Sequence, residues 1–424
     1  MRNFFKSVFG PSDASPNGMI WVFTLGGFFI PLVSLWNSRA IVPLVALMAV
    51  SSLYFILRMP QRNIWKDCDK YLFGGICIFL FSIILAAFQV ADPHAAIISA
   101  SKLFGIVAIA IVLIYAATHL DEYGSMKAAR CVLIGISIVG VFFLCDILSK
   151  GAMSLLFNNM TYTPKYKFFW FKSASAVFAV CTLIVGFYFA LKNKYWVGYC
   201  LAGLSIFIVM SIGNRTAAIG IILGLLFGVA YQFLGRWRHK VLSALLVIAF
   251  TAPFYIFSLG VSAERISQII EVRTSATISV VYRMYAWEFV TDRIIERPMR
   301  GWGLGGSKKF GGETAEIVND PIMGDLGEPV PLHPHNGILQ IWLELGAAGA
   351  LAVLILGLRA TYLLDKRCKS STNRIWTFSI LALLMCFFAF SYSAFSSAWL
   401  ALVAFSFAMV NALSMVHKKQ NKSE

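Results

Sequence analysis

Apolar runs long enough to cross a bilayer recur along the whole chain, and this recurrence constrains the fold more than any other feature. A spanning helix needs about 20 consecutive apolar residues. Twelve such stretches are predicted at 19–36, 40–58, 71–90, 97–117, 130–148, 169–190, 195–211, 216–234, 240–260, 337–364, 375–391 and 397–416. They are solid blocks, not the short alternating segments of a β-barrel. Only 13% of residues are charged and 59% are hydrophobic, against about a quarter charged in soluble domains. A soluble enzyme, a disordered chain and a secreted disulfide scaffold are excluded. The expected fold is an all-α polytopic membrane protein of about twelve transmembrane helices.

The formal charge of +16 would suggest a nucleic-acid partner in a soluble protein. Here it is first sorted by membrane side, because Lys and Arg collect in cytoplasmic loops. With both termini cytoplasmic, the inside segments hold 20 basic residues and the short outside loops hold 5. The five are Arg39, Lys150, Lys165, Lys167 and Arg215. That imbalance accounts for the charge without nucleic acid. Cys68, Cys131 and Cys368 fall on the inside, and the 261–334 segment has no cysteine. Arg2 and Lys6 before the first apolar run read as the flank of a retained first span, not a signal peptide.

The chain divides into an N-terminal membrane region of nine spans (1–260), an outside loop (261–334) and a C-terminal region of three spans (335–424). The loop carries ten of the twenty acidic residues. Val261–Arg273 and Ser279–Arg297 are predicted helical, the second ending at Pro298. Gly301-Trp-Gly-Leu-Gly-Gly306 then makes a turn. It is not a dinucleotide fingerprint, because no βαβ unit surrounds it, and no nucleotide-binding lysine motif is present.

His335-Asn336 follows the loop, with Asn336 a candidate helix N-cap. The nine residues 337–345 rise only about 13 Å as helix, too short to span, and Gly346-Ala-Ala-Gly349 permits a kink. His335 therefore stands at the outer mouth of the membrane, where a histidine without a role is an equal alternative. Arg215 sits in a tight outside connection, where arginine is disfavoured; snorkelling to headgroups is its alternative. Arg283 shares a helical face with Trp287, Val290 and Ile294, or is simply a solvated loop charge. Lys102, Asp146 and Lys172 lie within spans, toward their outer ends, as charges facing a cavity would; a Lys102–Asp146 pair is the alternative, and for Lys172, two residues into its span, snorkelling is the better reading. His333-x-His335 could ligate a metal with Asp320 or Asp325, although no third ligand is fixed by spacing.

The run His335-Asn336-x9-Gly346-Ala-Ala-Gly349 resembles the signature of bacterial O-antigen ligases, within the superfamily shared with O-antigen polymerases. The spans, the cytoplasmic termini and the large periplasmic loop before the signature agree with it over nearly the whole chain. Arg215 and Arg283 stand where that family has its essential arginines. The resemblance implies a glycosyltransferase of lipopolysaccharide biosynthesis in the bacterial inner membrane, with its active site on the periplasmic side. The implied donor is O-antigen on undecaprenyl diphosphate, and the implied acceptor is the lipid A–core oligosaccharide. It further implies inversion at the anomeric carbon, with no nucleotide, metal or other cofactor. His335 would accept the proton of the attacking hydroxyl. Arg215 and Arg283 would hold the diphosphate, with Lys102, Lys172 and Asn336 as further substrate or cavity residues. An O-antigen polymerase and a protein O-oligosaccharyltransferase share the signature. A transporter of lipid-linked glycans is the non-enzyme alternative, but it would show internal repeats and charges near the midplane.

Overall fold

The computed structural model describes residues 15–59, 69–90, 92–153, 171–258, 262–270, 274–310, 317–322, 324–330 and 333–416. Arg2, Lys6, Arg62, Lys66, Cys68, Lys165, Lys167, Lys418, Lys419 and Lys422 lie outside them. Nine helices precede the loop segment among the described residues: α1 (Ser15–Trp36), α2 (Ile41–Ile56), α3 (Lys70–Ala87), α4 (Pro93–Ala117), α5 (Glu122–Leu148), α6 (Phe171–Leu191), α7 (Tyr195–Ser211), α8 (Arg215–Phe233) and α9 (Arg238–Ser258). The loop segment adds α10 (Ala263–Ile269), α11 (Ser275–Glu296) and a hairpin of β1 (Val318–Asp320) and β2 (Gly324–Gly327). The chain returns through α12 (Gly337–Arg367), α13 (Ser371–Phe390) and α14 (Ser397–Ser414). The protein is an all-α polytopic membrane protein.

Each of the twelve expected spans is a helix, and ten of them are long and apolar enough to cross a membrane. The other two are α7, 17 residues long, and α9, which opens on Arg238-His239-Lys240. Helix starts differ where hydropathy and capping disagree. α5 begins at Glu122 rather than 130, because the Asp121 side chain accepts from Gly124 N–H at 2.7 Å and caps the helix there. Glu122, Lys127 and Arg130 lower the local hydropathy without breaking the helix.

The core centres on α6, in which every residue from Ala174 to Tyr188 is buried. A helix apolar on all sides belongs in the middle of a bundle. Around it, α8 packs closely on α13 because Gly220, Gly224 and Gly228 recur every fourth residue along one face. A Cβ at Gly224 would lie 2.6 Å from the Ser379 carbonyl oxygen, so only glycine allows this approach.

The loop segment is tied together by Asp320. Its buried carboxylate accepts from Ser267 Oγ (2.7 Å), Tyr285 Oη (2.9 Å) and Ile322 N–H (2.8 Å), joining α10, α11 and the hairpin. The sequence reading did not anticipate the antiparallel hairpin. The expected Val261–Arg273 helix is present as the shorter α10, started by Ser262. Residues 261 and 271–273 lie outside the described ones.

The expected kink occurs in α12. Gly346 has φ 64 and ψ −163, breaking a 31-residue helix after its first nine residues. The remaining 21 residues rise about 32 Å, enough to span alone. The short first piece is buried between two layers. Ile338, Ile341 and Leu345 pack with Ile83 and Ala86 of α3, Leu103 of α4 and Phe250 of α9. Leu339 and Leu343 pack with Val290 and Ile294 of α11. The carbonyls freed by the break accept from the 301–306 turn: Trp302 N–H bonds Leu343 O (2.7 Å) and Gly303 N–H bonds Glu344 O (3.1 Å).

Candidate active site

One end of the bundle gathers the starts of α6, α8 and α12, the end of α13 and the side of α11. His335 lies where they meet. The residue adopts φ 52, a left-handed conformation that is uncommon for any residue with a Cβ. Three contacts hold it there. Its N–H donates to His333 Nδ1 at 3.1 Å. Its own Nδ1 lies 3.4 Å from the Ser391 carbonyl, just past α13. Trp287 Nε1 on α11 donates to the preceding Pro334 carbonyl at 2.9 Å. Asn336 caps α12 as expected, accepting from Ile338 and Leu339 N–H at 3.0 and 3.1 Å. Its side-chain oxygen is thereby committed to the helix.

A backbone carbonyl only accepts, so the Ser391 contact places the proton of neutral His335 on Nδ1. Nε2 is then unprotonated, and it makes no hydrogen bond among the described residues. Burial, then the positive charges of Arg283 and Lys172, lower the His335 pKa below its ordinary 6.5, while the Ser391 contact opposes them. His333 is pushed down to about 4 by burial, His335 and Arg283. Both imidazoles are therefore neutral near neutral pH. A neutral imidazole with an unprotonated Nε2 is the form that accepts a proton.

The cations are placed by the packing. Arg283 is half-buried on α11, one turn before Trp287. No ion pair joins it to a carboxylate among the described residues. Arg215 opens α8 behind its N-cap Asn214. Asn214 also donates through Nδ2 to the Lys172 carbonyl and to Ser175 Oγ, both at 2.9 Å. These bonds bring the starts of α6 and α8 together, with Arg215 exposed at the first position of α8, and the charge that acts on Lys172 is that of Arg283. Tyr392 bonds the Ser173 side chain, joining the 391–396 turn to the start of α6. A cation at a helix N-terminus opposes the helix dipole, so Arg215 does not serve the stability of α8.

Lys102 is not joined to this group. It lies on an exposed face of α4 and ion-pairs with no carboxylate among the described residues. Asp146, by contrast, is buried and has a partner. Asp320 and Asp325, the carboxylates considered with His333 and His335, bond within the loop segment instead. Among the described residues no group of three His, Cys, Asp or Glu side chains converges as metal ligands.

Two features escaped the sequence reading. His333 figured there only as a metal ligand, whereas it holds the His335 backbone. Glu344 was not marked, although a carboxylate within the 337–364 run meets the criterion applied to Asp146. It is fully buried and accepts from Gly305 N–H (2.6 Å), Ser307 Oγ (2.7 Å) and Gln340 Nε2 (2.9 Å). Gln340 Oε1 in turn accepts from Ala394 N–H at 2.9 Å. The pair clamps the glycine turn and the 391–396 turn onto the helix that follows His335.

Residues 200–354 match the family model described as O-antigen ligase. The match includes Arg215, Arg283, His335, Asn336 and the Gly346 kink. A candidate polysaccharide ligase of Rickettsia conorii is 25% identical over 231 residues, 54% of this chain and 54% of that protein. The chain thus spans about half the length of that relative. A candidate polysaccharide ligase of Rickettsia felis is 30% identical over 148 residues, 35% of each chain. One from Rickettsia typhi is 23% identical over 304 residues, 71% of each. The matched stretch runs from α7 through the α12 kink, and over it the chain is similar to the O-antigen ligase family.

Proposed function

We propose that this protein transfers an assembled O-antigen glycan from undecaprenyl diphosphate to a sugar hydroxyl of lipid A–core at the periplasmic face of the inner membrane. The observation that carries this reading is the placement of a neutral histidine, its Nδ1 turned to the Ser391 carbonyl, within electrostatic reach of Arg283 and Lys172. The excess of Lys and Arg in the opposite loops supports a periplasmic position for this end of the bundle.

In this reaction the acceptor hydroxyl oxygen attacks the anomeric carbon and its proton passes to His335 Nε2. The anomeric C–O bond breaks with its electron pair leaving on the diphosphate. Attack opposite the leaving group inverts the anomeric carbon. Charge grows on the diphosphate, and guanidiniums bind phosphate oxygens through paired hydrogen bonds. Arg283 and Arg215 are assigned this task, and Lys172 adds charge near Arg283. The diphosphate is its own leaving group, so the reaction needs no nucleotide, and we assign the leaving-group role to the cations in place of a metal. The test is transfer in vitro with purified protein, lipid-linked polysaccharide and lipid A–core. Formation of glycan-bearing lipid A–core, resistant to EDTA, supports the reading. Extension of the lipid-linked glycan without transfer to lipid A–core would make the protein a polymerase instead.

A further inference from the structure

Apart from the His335 site, a cavity of about 560 Å³ opens between the end of α3 and the end of α11. It is lined by Gln89, Glu296, Arg297, Pro298, Met299 and Arg300. Its walls are held in place. Gln89 Nε2 donates to the Arg300 carbonyl at 2.9 Å, and the Pro298 carbonyl accepts from Ala347 N–H at 2.8 Å, just past the α12 kink. The Arg297 guanidinium carbon lies 3.9 Å from the centre of the Trp302 ring. Trp302 is itself fixed by its Nε1 bond to the Arg293 carbonyl at 2.7 Å. Glu296 is neutralised by Arg293. Arg297 and Arg300 ion-pair with no carboxylate among the described residues, so the cavity is cationic. Beside it, Met299 and Ile295 are 72% and 61% exposed. Apolar side chains next to guanidiniums that pair with no described carboxylate, at the end of a membrane bundle, match the boundary between acyl chains and phosphates.

We propose that this cavity binds the phosphate of a lipid headgroup, and that the lipid is the phosphorylated glycolipid acceptor. The identity of the lipid rests on the ligase reading above. Distance selects the acceptor over the donor. Arg297 lies fourteen residues beyond Arg283 along α11 and its C-cap, a rise of about 21 Å. The donor reacts at the sugar attached to its own diphosphate, so it cannot fill both places. A glycolipid whose reacting hydroxyl is several sugars away from its lipid phosphate fills both at once. Arg297 and Arg300 then anchor the acceptor at the membrane surface while its glycan extends to His335.

The test is a binding measurement on the full-length protein in phosphatidylcholine nanodiscs. The probes are bisphosphorylated lipid A, its dephosphorylated form and phosphatidylglycerol. Loss of both guanidiniums in Arg297→Gln/Arg300→Gln should weaken lipid A binding about tenfold or more. The charge-matched Arg39→Gln/Lys150→Gln control should bind as wild type does. Dephosphorylated lipid A should bind both proteins equally weakly. If the double variant fails to accumulate, Arg300→Gln alone should still weaken binding, because that side chain makes no described hydrogen bond or ion pair. Equal binding of lipid A by variant and wild type overturns the site. Equal affinity for phosphatidylglycerol and lipid A overturns the acceptor assignment. Donor and transfer do not enter this measurement, so a failure of transfer would count against the ligase reading and leave the binding result intact.

Discussion

The backbone N–H of His335 donates to the Nδ1 of His333, 3.1 Å away. The bond closes a two-residue loop around a left-handed backbone, and the two rings sit 4.3 Å apart. It requires an unprotonated His333 Nδ1. Burial and the neighbouring positive charges supply that by pushing His333 down to about 4. The role of His333 is therefore to position His335 rather than to exchange protons with substrate.

This assignment separates three substitutions. His333→Ala removes the acceptor and should lower kcat while leaving donor KM nearly unchanged. His333→Asn offers a side-chain oxygen at a similar reach and should recover much of the loss. His333→Phe keeps the ring but not the acceptor and should behave like His333→Ala. Equal activity in all three would remove His333 from the site.

Arg215 and Arg283 are expected to need the planar guanidinium, not only its charge. Lysine binds phosphate as a point charge without the paired hydrogen bonds. Arg215→Lys and Arg283→Lys should both reduce transfer strongly, with normal accumulation of protein in the membrane. Near-normal transfer in both would leave these residues only a general electrostatic role.

Glu344 predicts a stability effect. All the described donors around it point at carboxylate oxygens. Glu344→Gln turns an N–H₂ group toward some of them and leaves buried donors unpaired, at a cost of about 1–3 kcal/mol. The apparent Tm of the detergent-solubilised protein should fall. Gly346→Ala should be worse, since its Cβ would meet the Met299 carbonyl oxygen at 2.5 Å in a backbone with positive φ. An unchanged Tm in Glu344→Gln would show that the clamp contributes nothing to the fold.

The fold was legible because each span is an apolar block. The N-cap at Asn336 and the break at Gly346 were legible because residue chemistry there is local. What joins Lys172 to the site was not. It depends on Asn214 reaching across to another helix, over 42 residues of sequence. Ser391 was equally hidden: it takes part through a backbone carbonyl, for which side-chain identity gives no signal. Burial also hides which loop positions an impermeant reagent can reach. Ser307 reads as an exposed loop serine, yet its hydroxyl is buried against Glu344.

Orientation is therefore tested elsewhere. Ile317 is 56% exposed in the loop segment, and Lys194 is exposed in the α6–α7 connection at the other end of the bundle. In spheroplasts an impermeant thiol reagent should label Ile317→Cys at once and Lys194→Cys only after permeabilisation, each compared with wild type. Cys368 is a poor reporter, because it is 2% exposed and would stay unlabelled on either side. Immediate labelling of Lys194→Cys with none at Ile317→Cys would reverse the orientation.

The base assignment of His335 carries a pH signature. Imidazolium cannot accept a proton, so activity should be full while His335 is neutral and fall as pH drops through its pKa. Burial and the charges of Arg283 and Lys172 disfavour the protonated form, which places that fall below the ordinary 6.5. His335→Ala should lose about 10²-fold or more in transfer, because the proton acceptor is gone. Arg283→Gln removes one of the two positive charges that depress the pKa. Its residual activity should begin to fall at a higher pH than that of wild type. NMR titration of the labelled histidine should show the same upward shift without relying on turnover. An acid limb that stays in place in Arg283→Gln, together with an unshifted His335 titration, would break the electrostatic link between the two residues. Full transfer by His335→Ala would remove the histidine from the chemistry altogether.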